Sequence, residues 1–506
     1  MSRFDEVTAA RPRNGGALAL LGSRRFGPLF ATQFLSAFND NALKNALVLM
    51  IAYRAEAAGA LSAGLLIPLA GGLFILPFFL CSASAGALAD MSDKARLVRI
   101  IKLIEIAVMI VAAAAVIAGS AMLLLGLLFV MGIQAAFFGP IKYAILPDLL
   151  TPEELLLGNA LVEAGTFLAI LFGTIAGMLI ATGNGEISVA ALIVAVALAA
   201  WGVSLAIPPI RPAASPARFE WNFAAITARA IGQATERPAP FRAMLGISWF
   251  WLAGALYLSQ FPTYVRFVLG SEEAVVTLFL AVFSVGVGAG SMLCNRLLRG
   301  RVSAGIVPWG MLGLALFSID LCLASPNASA GAALTTIGGF LAQPASWRLL
   351  ADLFGIAASG GVFIVPLYTL LQTGSDEARR AQTIGANNII NAAAMVLSAV
   401  LTMALVAAGI SVPGLFLLTG VASLGVRPTV KADARPLLEV FIFDFDDAIY
   451  GRRIVVEFLH KLRDEERYAD LPALTRQIRA DAEQARAFFA SEEACPTTPK
   501  ATTSPR

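Results

Sequence analysis

The chain has one histidine, His460, and four cysteines, Cys81, Cys294, Cys322 and Cys495, in 506 residues. The lone imidazole excludes a histidine-dependent triad from the apolar region. The cysteines show no paired spacing, which excludes a disulfide framework and a zinc knuckle. Charge is scarce as well: 14% of residues carry it, with a formal net of +3, and nothing points to nucleic acid. No cofactor or metal is expected. What remains is apolar, 58% of the chain with a mean hydropathy of +0.77. A soluble domain is about 45–50% apolar, so the excess needs lipid to face.

The charge is unevenly placed. Of the 71 charged residues, 27 lie in positions 427–506. The chain changes solvent near Val426: the part before it reads as membrane and the tail as soluble. Arg3, Arg11, Arg13, Arg24 and Arg25 lead into a long apolar span without a cleavage pattern, so no signal peptide is expected.

A bilayer core of about 30 Å needs roughly 20 apolar residues per helix. Runs of that kind fall near 27–52, 61–88, 97–119, 121–145, 155–181, 187–208, 243–264, 274–295, 304–324, 350–372 and 383–408. These are eleven full spans. Val412 to Val426 is a twelfth but reads as too short to cross comfortably, and Gly420 and Gly425 weaken it. Arg24 and Arg25, Lys94, Arg96 and Arg99, the arginines of the central loop, Arg296, Arg299 and Arg301, and Arg379 and Arg380 all fall on one side. Arg54, Arg266 and Arg348 are exceptions. The bias places the N-terminus, the central loop and the tail in the cytoplasm. The expected fold is an all-α polytopic membrane protein of two bundles, with a pathway between them at mid-membrane. Its expected parts are a cytoplasmic segment 1–25, a six-helix bundle 26–209, a loop 210–242, a second bundle 243–426, a segment 427–494 and a disordered tail 495–506.

The loop after the second span, Gly86-Ala-Leu-Ala-Asp90-Met-Ser-Asp-Lys94-Ala-Arg96, resembles the signature of the major facilitator superfamily. Further stretches narrow the resemblance: Gln33 through Asn45, Phe138-Gly-Pro140-Ile-Lys142-Tyr143 through Pro147, Gly158-Asn159-Ala-Leu-Val-Glu163, and Val365-Pro366 through Gln372. Together they resemble the bacterial lysophospholipid transporters. Phe340 through Arg348 is similar to the subgroup often fused to an acyltransferase and an acyl-carrier-protein synthetase. The resemblance covers about residues 20–420. It implies movement of lysophospholipids, lysophosphatidylethanolamine above all, across the bacterial inner membrane, with membrane lipids as surroundings and a separate acyltransferase/acyl-carrier-protein synthetase as partner.

After Gly420 the pattern changes. Gly425-Val-Arg-Pro428-Thr429, Leu438-Glu439 through Asp446, and Tyr450-Gly451 through Glu465 resemble the C-terminal part of a bacterial riboflavin kinase, a small partial α/β segment. Glu439 matches that family's general base. The earlier glycine-rich segment and Pro-Thr-Ala-Asn motif that hold ATP and magnesium there have no counterpart upstream. A base without a phosphate cradle transfers no phosphoryl group, so the chain reads as a transporter rather than an enzyme. Riboflavin phosphorylation by the tail is one alternative function. Export of another amphiphile or drug is a second.

Asn39, Asp40, Asn41, Lys44 and Asn45 lie around the middle of the first span. A central Asp or Lys costs about 2.5–3.5 kcal/mol on translocon scales, so these residues must face partners or water inside the bundle. Asp40 and Lys44, at i and i+4, share one helix face. They suit a zwitterionic headgroup, Asp40 toward the ammonium and Lys44 toward the phosphate; an interhelical lock is the alternative. Asn159 and Glu163 repeat the spacing in the fifth span as pathway residues, with Glu163 a second cation contact or proton site, or the partner of Lys44 or Lys142. Gln372, Asn387 and Asn388 can orient a phosphate or join helices. Gly86, Asp90, Lys94 and Arg96 lie at the membrane surface, where gating is the expected role.

Overall fold

The computed structural model describes residues 16–54, 63–181, 186–210, 212, 222–326, 334–425 and 471–490. They divide into two units, 1–433 and 434–506. In the first, a short α1 (Ala17–Leu21) precedes α2 (Gly27–Arg54), α3 (Ala63–Asp90), α4 (Lys94–Ile117) and α5 (Ala121–Ala144). The single turn α6 (Leu146–Leu149), then α7 (Pro152–Ala181) and α8 (Glu186–Ser204), complete an N-terminal half. After α9 (Phe223–Glu236) the C-terminal half holds α10 (Pro238–Thr263), α11 (Glu273–Leu298), α12 (Val307–Ala324), the short α13 (Ile337–Ala342), α14 (Pro344–Gly374), α15 (Arg380–Ala407) and α16 (Val412–Gly425). Of the second unit, one helix is described, α17 (Leu471–Ala490). The spacing of Leu471, Leu474, Ile478, Ala482 and Ala485 predicts that helix. The riboflavin-kinase-like stretches from Val426 through Glu465, Glu439 among them, and the tail 495–506 lie outside the described residues.

Ten of the described helices are long and apolar enough to cross a membrane. α2 matches them in length, 28 residues, with its polar run at the centre. The chain is therefore a multi-pass membrane protein. Helix starts are set by local chemistry rather than by the apolar run alone. Asp93 accepts from the amides of Ala95 and Arg96, so α4 begins three residues before the expected 97. Pro344 at the first helical position starts α14 ahead of the expected 350. α16, with 14 residues, rises about 21 Å and is as short as its sequence predicts. It is anchored by Phe416, whose ring lies 5.2 Å from those of both Tyr257 and Tyr264.

Within the N-terminal half α2 packs on α7 and α8, α3 on α5, and α4 on α8; in the C-terminal half α14 packs on α11 and α12, α10 on α15, and α12 on α16. The halves meet along α3 with α15 and α7 with α11. Close approach needs small residues. Gly86 lies against the backbone of α15, where a Cβ would sit 2.6 Å from Gln382 Cα. Gly385 returns the contact against Ser82 and Ala83 of α3.

The central segment, read from sequence as a loop, contains α9. Asn222 caps it by accepting from the amide of Ala225 at 3.0 Å. Ile226, Ala230 and Ala234 recur every four residues and are buried, with α3 and α15 as the packing partners. An amphipathic face therefore exists where the charged flanks alone suggest a connector.

Candidate functional site

A cavity of about 340 Å³ lies between the halves. α2 supplies Gln33, Ser36, Asp40, Asn41 and Lys44, and α5 supplies Phe138, Lys142 and Tyr143. Phe74, Ile75 and Phe78 of α3 and Thr166 and Ile170 of α7 complete the N-terminal wall. The C-terminal half adds Trp251 of α10, Tyr368 of α14, and Asn388, Asn391 and Met395 of α15. Every charged group on the wall thus belongs to the N-terminal half. Asp40 lies near the midpoint of α2, with Ser36 and Lys44 one turn away on either side of the same face.

These charges are not used up by the protein. Asp40 Oδ1 and Gln33 Nε2 are buried without a hydrogen-bond partner among the described residues. Lys142 Nζ stands 4.8 Å over the ring of Tyr143. A buried polar atom without a partner is costly, so such atoms mark places where water or a ligand belongs.

The cavity floor joins the halves. Tyr143 and Tyr368 stack with ring centroids 4.2 Å apart and planes 6° from parallel. Tyr143 donates its hydroxyl hydrogen to Glu163 Oε1 at 2.5 Å, and Trp251 Nε1 donates to the Tyr368 hydroxyl at 3.3 Å. Below the stack, Asn159 and Gln372 exchange reciprocal hydrogen bonds of 2.6 and 3.0 Å. Gln372 also donates to the carbonyl of Tyr143 at 3.0 Å.

Beyond these the halves are sealed at the end carrying Asp90. The two carboxylate oxygens of Asp90 each accept an amide of the first turn of α15, from Ala381 and Gln382, both at 2.9 Å. Those amides have no partner inside their own helix, and a carboxylate there also meets the positive end of the dipole. Asp148 bridges the halves, 2.8 Å from Lys94 Nζ and 3.2 Å from Arg380 Nη1. Arg25 pairs with Glu154 nearby. Arg96 is exposed and carries no part of the seal.

Of the residues singled out by sequence, Asp40, Asn41, Lys44 and Asn388 line the cavity. Asn39, one step round α2, instead donates to the carbonyl of Ile193 in α8 at 3.1 Å. Asn159, Glu163 and Gln372 lie in the floor contacts, off the cavity wall, and Asn387 is buried within the bundle. Gly86, Asp90 and Lys94 meet at the seal. Sequence reasoning passed over Lys102 and Glu105 of α4 and the Tyr143–Tyr368 pair. The signal for the first two was present: opposite charges at i and i+3 inside an apolar span.

The pattern of the Major Facilitator Superfamily matches residues 29–399, and that of riboflavin kinase matches residues 381–489. The second range begins inside α15 and includes α16, both helices of the C-terminal half. The chain is 28% identical over 377 residues to the lysophospholipid transporter LplT of Serratia proteamaculans, covering 73% of this chain and 83% of that protein. It is 29% identical over 382 residues to LplT of Enterobacter sp. strain 638, covering 73% and 84%. Among solved structures, the human organic anion transporter MFSD10 superposes with a TM-score of 0.62 at 14% identity, covering 79% of this chain and 98% of that one. The fucose:proton symporter FucP of E. coli gives 0.59 at 14% identity, covering 79% and 95%. With two helical halves meeting around one polar cavity and a sequence match that spans most of its length, the chain belongs to the Major Facilitator Superfamily.

Proposed function

We propose that this transporter carries lysophospholipids, lysophosphatidylethanolamine among them, across the bacterial inner membrane, with the Asp90 end and both termini in the cytoplasm. The observation that carries the reading is the charge set of the cavity wall: one carboxylate, Asp40, and two ammonium groups, Lys44 and Lys142, beside Phe74, Phe78 and Phe138. A phosphoethanolamine headgroup has the complementary set. Its ammonium would meet Asp40, its phosphate Lys44 and Lys142, and the aromatic side chains would meet the start of the acyl chain. Asn388 and Asn391 would orient the phosphate from the other half. The similarity to LplT proteins supports the same cargo. The basic residues counted at the Asp90 end support the orientation.

In this reading the Asp90 seal closes the cytoplasmic end, and transport requires the Asp90, Asp148 and Asn159–Gln372 contacts to part. Glu163 accepts the hydroxyl of Tyr143, whose ring stacks on Tyr368 of the other half, and would serve as a proton site beside the contact that must break. A separate acyltransferase would consume the lipid delivered to the inner leaflet.

The test is uptake of labelled lysophosphatidylethanolamine by cells that lack their own lysophospholipid uptake and express the full chain. Uptake above the background of empty cells is expected. Correctly inserted protein that moves a sugar or drug but no lysolipid would overturn the assignment.

A further inference from the structure

The transport reading leaves two charged residues of α4 without a role. Lys102 and Glu105 are buried, with Lys102 Nζ 2.5 Å from Glu105 Oε2. Gln134 Nε2 of α5 donates to the same oxygen at 2.8 Å. Lys102 also donates to Ser36 Oγ of α2 and stands 4.2 Å over the ring of Phe138 of α5. Ser36 and Phe138 line the cavity, whereas Lys102 and Glu105 lie behind the wall. One ammonium therefore joins three helices.

Stability alone is a poor reason for such a pair. Desolvation offsets much of its attraction, and well-packed apolar residues of similar volume are often as stable or more so. What an ammonium does here, and a methyl group does not, is fix two wall side chains at once. It holds one through a hydroxyl and the other through the face of a ring. Ser36 precedes Asp40 and Lys44 by one and two turns on the same face of α2. Fixing Ser36 therefore fixes the direction in which that face points. The ion pair holds Glu105 Oε2 behind the wall, and Asp40 is the one carboxylate among the residues that line the cavity.

We propose that Lys102 and Glu105 are positioning residues for headgroup recognition. From behind the wall they hold Ser36, Phe138 and, through α2, Asp40 and Lys44 in the geometry that meets the headgroup. The proposal rests on the transport reading above and predicts an effect on affinity rather than on abundance.

The experiment compares the full-length chain with Lys102→Met/Glu105→Met, Lys102→Arg, Ser36→Ala and Phe138→Leu. It measures membrane abundance together with KM and maximal rate for labelled lysophosphatidylethanolamine. The double variant is expected at normal abundance with KM raised about tenfold and the rate per molecule nearly kept. Ser36→Ala and Phe138→Leu should each raise KM about threefold, and Lys102→Arg should stay nearest the parent because it keeps the charge. A double variant of normal abundance and normal KM would overturn the proposal. If the double variant fails to insert, an unmoved KM in Ser36→Ala or Phe138→Leu overturns the proposal, and thiol labelling of the α2 face decides it otherwise, because both residues line the cavity and a raised KM also follows from direct contact.

A readout independent of cargo separates this inference from the transport reading. With the native cysteines replaced by alanine, Ala37→Cys on the cavity wall is labelled with a water-soluble thiol reagent, with and without Ser36→Ala or Lys102→Arg. A change in labelling rate of at least about threefold with Ser36→Ala, but not with Lys102→Arg, is expected from a shifted α2 face. Equal rates in all three would overturn the positioning role even if the chain moved no lysolipid at all.

Discussion

The cavity and the Asp90 seal occupy the same interface between halves, a few helical turns apart, yet they treat charge in opposite ways. At the seal, Asp90 has two amide donors and Asp148 has two cations. In the cavity, Asp40 keeps a buried oxygen without a partner among the described residues. Satisfied groups hold a surface shut, whereas an unsatisfied group that faces a cavity is open to what enters it; Glu105 and Glu163 also keep an oxygen without a partner among the described residues, but off the cavity wall. The difference separates residues that keep this conformation from residues that would meet a cargo, a distinction that amino-acid type alone does not make.

Removing the unsatisfied member should do the most harm to transport. Losing one side of a buried charge pair costs about 2–5 kcal/mol, so Asp40→Asn should lower lysophosphatidylethanolamine uptake by about 30-fold or more at unchanged abundance. Uptake equal to the parent would erase the proposed division between cavity and seal. Next comes the seal itself. A carboxylate on a helix N-terminus contributes up to about 2 kcal/mol in partly buried geometry, so Asp90→Asn should shift the population by up to about 30-fold toward a form open at that end. The rate at which a cysteine at Gln382 reacts with a soluble reagent would report it. A smaller effect is expected from the floor. Interhelical hydrogen bonds in membranes average about 0.6 kcal/mol, so a double-mutant cycle of Asn159→Ala and Gln372→Ala should show a coupling of about that size in thermal unfolding. Arg96→Ala, which touches neither region, should leave stability within about 0.5 kcal/mol and uptake unchanged.

Sequence carried the architecture well because lipid enforces it: each span must be long, apolar and internally hydrogen-bonded, and these properties are written in composition. Asp40 and Lys44 stood out for the same reason, since charge is rare at mid-span. What the sequence left open was direction. Asn39 and Asp40 are neighbours in the chain but about 100° apart around α2, and one meets a backbone carbonyl of α8 while the other meets the cavity. Asn159 and Gln372, 213 positions apart, satisfy each other across the halves, a pairing that no local spacing announces. Lys102 and Glu105 were legible as an anomaly in an apolar helix, but their link to Ser36 and Phe138 exists only after α2, α4 and α5 have packed. The helical face of α9 was hidden by its setting among arginines.

That linker helix also limits how the halves can move. It packs on α3 of one half and on α15 and α10 of the other, with Ile226, Ala230 and Ala234 buried, so an excursion that parts α3 from α15 would peel α9 off one of them. The helix α9 would thus behave as a hasp, adding its own small apolar grip to the closed form.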